Sequence, residues 1–367
     1  MSKKCFLLAM VLLLSLALVV TGCGGGEKKP AAPAQEKTKV AFVYVGPVGD
    51  AGWSYAHDQA RKYLTEKMPD VQTTIVESVP EGADAERVIT QLAEQGNKII
   101  FTTSFGYMDP TINVAKKYPN VTFMHCSGFK TAPNVGTYFG RMYQARYLTG
   151  IVAGKTTKSN VIGYVAAFPI PEVVRGINAF TQGVRSVNPD AKVKVIWTST
   201  WYDPAKEKQA ALSLLDAGAD VIAQHQDTPG PQQAAEEKGK YSIGYNTDMS
   251  KMAPKAVLTS AVWNWGPYYV SVVDAVKKGT WKNDQYWGSM KDGIVALAPY
   301  GPMVTEDTKK LVDTAKEKIL GGQWDVFYGP IKDQSGQVKI AEGQKMSDAD
   351  LLKFDWFVQG VEGTISK

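Results

Sequence analysis

Apolar residues fall in short runs separated by longer amphipathic stretches, and the arrangement occurs twice. Residues 40–45 read Val-Ala-Phe-Val-Tyr-Val, followed by a Gly/Pro loop, a helical stretch and Met-Pro-Asp. Residues 161–166 read Val-Ile-Gly-Tyr-Val-Ala, followed by a Pro-rich loop, a helical stretch and Asn-Pro-Asp. Asp84 then precedes a helix with Ala85, Val88, Ile89, Leu92 and Ala93 on one face, stopped by Gly96. Asp203-Pro204 opens its counterpart, which carries Ala211, Leu212 and Leu215 and is stopped by Gly218. An acidic cap, a proline at the first helical position and a glycine past the end are helix punctuation. A β-rich run follows each helix, Lys98-Ile-Ile-Phe-Thr-Thr in one unit and Ala219-Asp-Val-Ile-Ala-Gln in the other, at an offset of about 120 residues.

Short apolar strands alternating with amphipathic helices predict parallel sheets covered on both faces. The chain is therefore expected to be α/β, with two doubly wound parallel-sheet lobes forming a clamshell. Lobe 1 is expected over 40–155 plus about 262–295, and lobe 2 over 156–261 plus about 296–367. In open α/β sheets a ligand sits outside the C-terminal strand ends. The loops at 46–55, 104–109 and 127–130 should then face those at 168–171, 200–203, 227–229 and 246–250 across one cleft.

Those loops hold or adjoin Trp53, Phe105, Tyr107, Phe168, Trp201, Trp263 and Trp265. Such rings either pack the lobes or hold a flat ligand by stacking, worth roughly 0.5–1.5 kcal/mol beyond area burial. Trp53 favours the ligand role, because the core face of its helix is supplied by Ala56, Ala60, Tyr63 and Leu64. Tyr55 lies on the same loop. The polar candidates are Asp50, Ser54, Asp109, Asp227, Asn246 and Asp248. Carboxylates suit N–H donors of a neutral ligand, and Asn donates and accepts. Asp109 and Asp248 are equally placed to cap helices.

The N-terminus changes the setting. Lys3 and Lys4 precede an apolar run over 6–20, too short to span a bilayer, which ends in Val20-Thr21-Gly22-Cys23. A span takes roughly 20 apolar residues, and this run suits an export signal over 1–22. Small residues before Cys23 form a lipobox, with Cys23 as the expected site of lipidation. Residues 23–39 are rich in Gly, Pro, Ala and charge and form a flexible tether. The net charge of +5 includes Lys3 and Lys4, and Lys and Glu are interspersed, so no basic block suggests nucleic acid. Cys126 is the one cysteine of the body, which excludes a disulfide framework.

Catalytic constellations are not apparent. His57, His125 and His225 are scattered, and His57 reads as a satisfied surface or interface residue. His125 and Cys126 are neighbours on a strand and point to opposite faces. No Cys/His spacing suggests zinc, and no strand runs into a glycine-rich phosphate loop, so neither metal nor cofactor is expected.

Several segments together resemble the basic membrane protein (BMP) family of substrate-binding lipoproteins. They are the lipobox, Gly49-Asp50-Ala51-Gly52-Trp53, Tyr147-Leu148-Thr149-Gly150 with Ala153-Gly154, and the run from Trp324 through Gly329-Pro330-Ile331. The resemblance spans essentially the whole exported chain. It implies a type I periplasmic-binding-protein fold and a non-enzymatic role in an ABC importer, with permease and ATPase partners and a lipid anchor outside the cytoplasm. It also implies a purine nucleoside-type ligand, with Trp53 stacking on the base, Asp50 as the acidic loop residue and Phe168 as the opposing ring. Two positions depart from the nucleoside pattern. Trp53-Ser54 stands where Phe-Asn is usual, and Thr259-Ser260 is followed by Ala-Val-Trp263-Asn-Trp265 without the usual Lys. Indoles in place of ribose-binding groups suggest a pocket shrunk around a bare purine nucleobase. A nucleoside or a sugar-type ligand are the alternatives.

Overall fold

In β1 (Thr38–Val43), Val40 and Phe42 enter one core while Ala41 and Val43 enter another, and all four are fully buried. A strand apolar on both faces needs cover on both faces, which a parallel sheet flanked by helices supplies. The computed structural model describes residues 37–365. The export signal, Cys23 and most of the tether lie outside the described residues.

In lobe 1, β1 joins β2 (Val71–Val76), β3 (Ile99–Thr102), β4 (Thr122–Cys126) and β5 (Val135–Gly140) in the order β2-β1-β3-β4-β5, all parallel. Helices α1 (Trp53–Lys67), α2 (Ala83–Glu94) and α3 (Met108–Ala115) connect them. The chain passes through α4 (Met142–Thr156) into lobe 2 and repeats the winding. Strands β6 (Val161–Ala166), β7 (Lys192–Trp197), β8 (Val221–His225), β9 (Tyr241–Asn246) and β10 (Val257–Trp263) take the order β7-β6-β8-β9-β10. Their connections are α5 (Pro171–Val187), α6 (Pro204–Asp216) and α7 (Gly230–Glu237). The internal repeat is thus a repeat of topology.

The caps follow the sequence in one unit and depart from it in the other. Asp203 accepts the N–H of Lys206 at 3.0 Å, with Pro204 opening α6. In α2 the capping position is Gly82, and Asp84 lies inside the first turn.

After β10 the chain returns to lobe 1, where α8 (Gly266–Lys277) packs on α1 and β11 (Gln285–Gly288) pairs with β5. It crosses a third time to β12 (Val295–Leu297), antiparallel to β10, and continues through α9 (Glu306–Leu320). The three crossings are joined to one another. Arg141 N donates to Gly288 O at 2.6 Å, and Asn264 N to Ile294 O at 2.9 Å. Helix α4 packs on α5 and α9 of lobe 2, so the first crossing falls at Gly140–Arg141 rather than near residue 155. Bare glycine surfaces allow this packing. A Cβ on Gly150 would lie 2.1 Å from Phe180 O, and one on Gly183 would lie 1.9 Å from Tyr147 O.

Candidate ligand-binding cleft

The loop after β1 is organised by Asp50. Its buried carboxylate accepts the N–H groups of Gly52 (2.8 Å), Ser54 (2.8 Å) and Tyr55 (2.9 Å), the open donors of the first turn of α1. Burial pushes its pKa up to about 6, against the pull of those donors. Asp50 therefore shapes the loop that presents Trp53. Ser54 has the same kind of role, its Oγ accepting from Gly46 N at 3.2 Å.

Trp53 is the first residue of α1 and is pinned by its Nε1, which donates to Thr103 O at 2.6 Å. Its indole rests edge-on against Trp263 and Trp265, which stack on each other at 4.4 Å and 19°. His57, one helical turn on, lies fully buried under these rings, 5.1 Å from Trp265 and stacked on it. It is a core residue, not the surface or interface histidine expected from sequence. The reason is periodic: Trp53, His57, Ala60 and Leu64 form one buried helical stripe.

Lobe 2 brings Trp201, Asp227, His225, Glu172 and Tyr245 opposite Trp53 and Phe105. With Val45, Ser104 and Ser127 they line a narrow slot whose cavity volume is about 20 Å³. Asp227 is buried. Burial, and next the charge of Asp50, push its pKa well above the carboxylate range, while a hydrogen bond from Asn246 draws it down. Asn246 also accepts from Trp263 Nε1 at 2.9 Å, so the indole bed of Trp53 is tied to lobe 2. Glu172 opens helix α5 and joins three parts of the wall. Its Oε1 lies 3.2 Å from His225 Nε2, and its Oε2 accepts from Ser127 Oγ of lobe 1.

The lobes touch through main chain. Thr247 Oγ1 donates to Ala51 O at 2.5 Å, and a Cβ on Gly52 would lie 2.2 Å from Asp227 O. The slot is therefore closed on this side by backbone meeting backbone. A wider groove between α8 and β11 is lined by Tyr268, Trp281 and Tyr286 of lobe 1 and is open to solvent. The slot draws aromatic and carboxylate groups from the facing strand ends of both lobes.

Among the sequence candidates, Trp53, Phe105, Trp201 and Asp227 line the slot. Phe168 stands behind Trp201, ring centroids 5.1 Å apart, and Trp263 supports Trp53 from below. Asn246 acts on Asp227. Tyr55 is 38% exposed, and Asp248, also exposed, caps its own loop by accepting from Ser250 N at 2.9 Å. Glu172, His225 and Tyr245 were not singled out as binding residues. Each sits at a strand end or helix start of lobe 2. Among the described residues no cluster of three or more His, Cys, Asp or Glu is placed to hold a metal ion.

Two lobes of one winding, three crossings and a slot at the facing strand ends define a substrate-binding protein of the type I periplasmic class. A solved ABC transporter solute-binding protein from Aeropyrum pernix K1 shares this fold, with a TM-score of 0.70 at 20% identity over 82% of this chain and 94% of that one. The sequence model of the Bmp family, ABC transporter substrate-binding proteins that are PnrA-like, matches residues 37–323, and the chain belongs to that family. It is 48% identical over 346 residues to a purine-binding protein of Brucella abortus (strain 2308), covering 94% of this chain and 99% of that one. It is 41% identical over 348 residues to an ABC transporter protein of Haloferax volcanii named for glucose binding, covering 95% and 85%. Family membership makes the chain a binding component that works with a permease and an ATPase rather than an enzyme.

Proposed function

We propose that the protein captures a purine nucleobase, adenine, guanine or hypoxanthine in kind, and hands it to an ABC importer. The observation that carries this reading is the slot between the lobes, walled by an indole from each, with the buried carboxyl of Asp227 at its side. Flat ring faces suit Trp53, Trp201 and Phe105, and ring N–H donors suit Asp227, with Asn246 fixing its orientation. Asp50, Ser54, Phe168 and Trp263 hold these groups in place. The purine-binding relative from Brucella abortus supports the ligand class. Cys23 is the proposed lipid attachment point, with residues 24–37 as the tether that holds the lobes at the outer face of the membrane.

Native mass spectrometry of the protein as purified tests this. The expected result is an adduct of purine-base mass that is lost on unfolding. An adduct of nucleoside mass would favour the nucleoside reading, and one of hexose mass would overturn the purine reading.

A further inference from the structure

Side chains as well as main chain join the lobes across the slot. Thr247 Oγ1 donates to Ala51 O, with Gly52 against Asp227 O, and Ser127 Oγ of lobe 1 donates to Glu172 Oε2 of lobe 2. The two sheets set these contacts apart by the same interval. Ala51 follows β1 and Ser127 follows β4, with β3 between them, a separation of two strand spacings or about 10 Å. In lobe 2, Glu172 follows β6 and Thr247 follows β9, with β8 between them. Phe105, after β3, and Asp227, after β8, line the slot in the interval.

Each partner of the side-chain contact is positioned by its own lobe. Glu172 Oε1 lies 3.2 Å from His225 Nε2, a contact made wholly within lobe 2 that leaves Oε2 for the seam. Ser127 is held in lobe 1 by its N–H, which donates to Tyr138 O at 3.2 Å, and its φ of 75° lies in the left-handed region that non-glycine residues seldom enter. Six non-glycine residues have positive φ among the described residues, and Ala51, Ser127 and Asn246 stand at the seam, Asn246 directly before Thr247. Backbone of this kind gathers at ligand clamps and switch regions, where the surrounding structure enforces it.

We propose that Ser127 and Glu172 form a second clasp of the closed cleft, and that Glu172 is the positioning residue that sets how long a ligand stays. The hydrogen bond between them exists only while the lobes are together. On opening, the hydroxyl and the carboxylate turn to water, while His225 keeps Glu172 oriented for the next closure. An interaction confined to the closed form stabilises that form alone. The clasp therefore slows dissociation and leaves unchanged the encounter with ligand, which the open form makes. It acts on any ligand the cleft closes over and so stands apart from the purine reading.

Stopped-flow fluorescence of the exported, folded chain tests this, with the indoles of Trp53 and Trp201 as reporters. The probe is whichever of adenine, hypoxanthine, inosine and glucose wild type binds, so a failure of the purine reading is seen separately. Ser127→Ala is expected to speed dissociation about tenfold, the scale of one hydrogen bond to a charged group, with the association rate within twofold of wild type. In a Glu172→Leu background, where the serine has lost its acceptor, the same substitution is expected to change dissociation less than twofold. A circular-dichroism melt checks that each variant is folded. Glu172→Gln replaces the leucine form if that does not fold, and its neutral amide oxygen, a weaker acceptor, should shrink the serine effect. An unchanged dissociation rate in Ser127→Ala, a loss confined to association, or a serine effect undiminished in the Glu172 variant would overturn the clasp. If wild type binds none of the probes, small-angle scattering decides: a larger radius of gyration for Ser127→Ala than for wild type supports the clasp, and equal radii overturn it.

Discussion

At the residue scale, the two buried aspartates of the cleft have divided their tasks. Asp50 spends its lone pairs on three main-chain N–H groups, so it has little left for a ligand. Asp227 has one side-chain partner, Asn246, and sits closer to neutrality. Its carboxyl oxygens are free to accept ring N–H donors, and a buried acceptor left unpaired costs about 1–3 kcal/mol. In the proposed site Trp53 supplies the other half of the attraction. Trp53→Ala should weaken every base at least tenfold, about 1.4 kcal/mol, since it removes both stacking and buried area. Calorimetry with two different bases checks this, and an unchanged affinity for both would remove Trp53 from the site. Trp53, Trp201 and Asp227 were legible in the sequence because each follows a strand in a repeated unit. Glu172 was not, because an acid after Pro171 reads as ordinary first-turn chemistry. Its contacts with His225 and Ser127 come from residues 53 positions ahead and 45 behind.

At the element scale, helix starts and strand ends place the site, and glycines set how closely the pieces approach. Alternating strands and helices made both lobes legible. The crossing near residue 141 was not, because α4 is buried almost all round and its apolar pattern names no partner. Its attachment to lobe 2 depends on Gly150 and Gly183, whose role appears only when two helices are placed together. Gly52 plays the corresponding part between lobes. Gly52→Ala would drive a Cβ into the main chain of Asp227 at 2.2 Å, which only lobe separation relieves. The variant should fold with a far-ultraviolet spectrum like that of wild type and lose at least tenfold in affinity. Small-angle scattering with saturating ligand should show a larger radius of gyration for the variant than for wild type. Equal radii and equal affinity would mean that the lobes do not close through this contact.

At the scale of the whole molecule, burial of titratable groups couples stability to pH in two directions. Burial lowers the pKa of His57 from 6.5 to about 3, so the folded protein keeps this imidazole neutral. The unfolded chain takes up the proton below pH 6.5, and stability present above that value is lost as pH falls. Glu207 has the opposite sign. Burial raises it to about 7, so its contribution is full below 4.5 and is lost as pH rises through 7. A paired measurement isolates the histidine. In His57→Phe the ring still stacks on Trp265, and the Tyr269 hydroxyl keeps its 3.1 Å contact with Tyr138. Between pH 6.5 and 5 the stability of the variant relative to wild type should rise by about 1.4 kcal/mol per pH unit, read from urea midpoints. A constant difference across that range would show that His57 takes up a proton in the folded state.

The whole molecule also decides what the slot admits. Backbone contact at Gly52 and Thr247 holds the slot nearly shut, and in the proposed reading it closes on a flat base with no room for an attached sugar. The most direct test is calorimetry with matched pairs: adenine and adenosine, guanine and guanosine, hypoxanthine and inosine. At least one base should bind tenfold or more tightly than its own nucleoside, and no nucleoside should exceed its base. A nucleoside that binds as tightly as its base in every pair would contradict the nucleobase assignment and place a ribose inside the closed cleft.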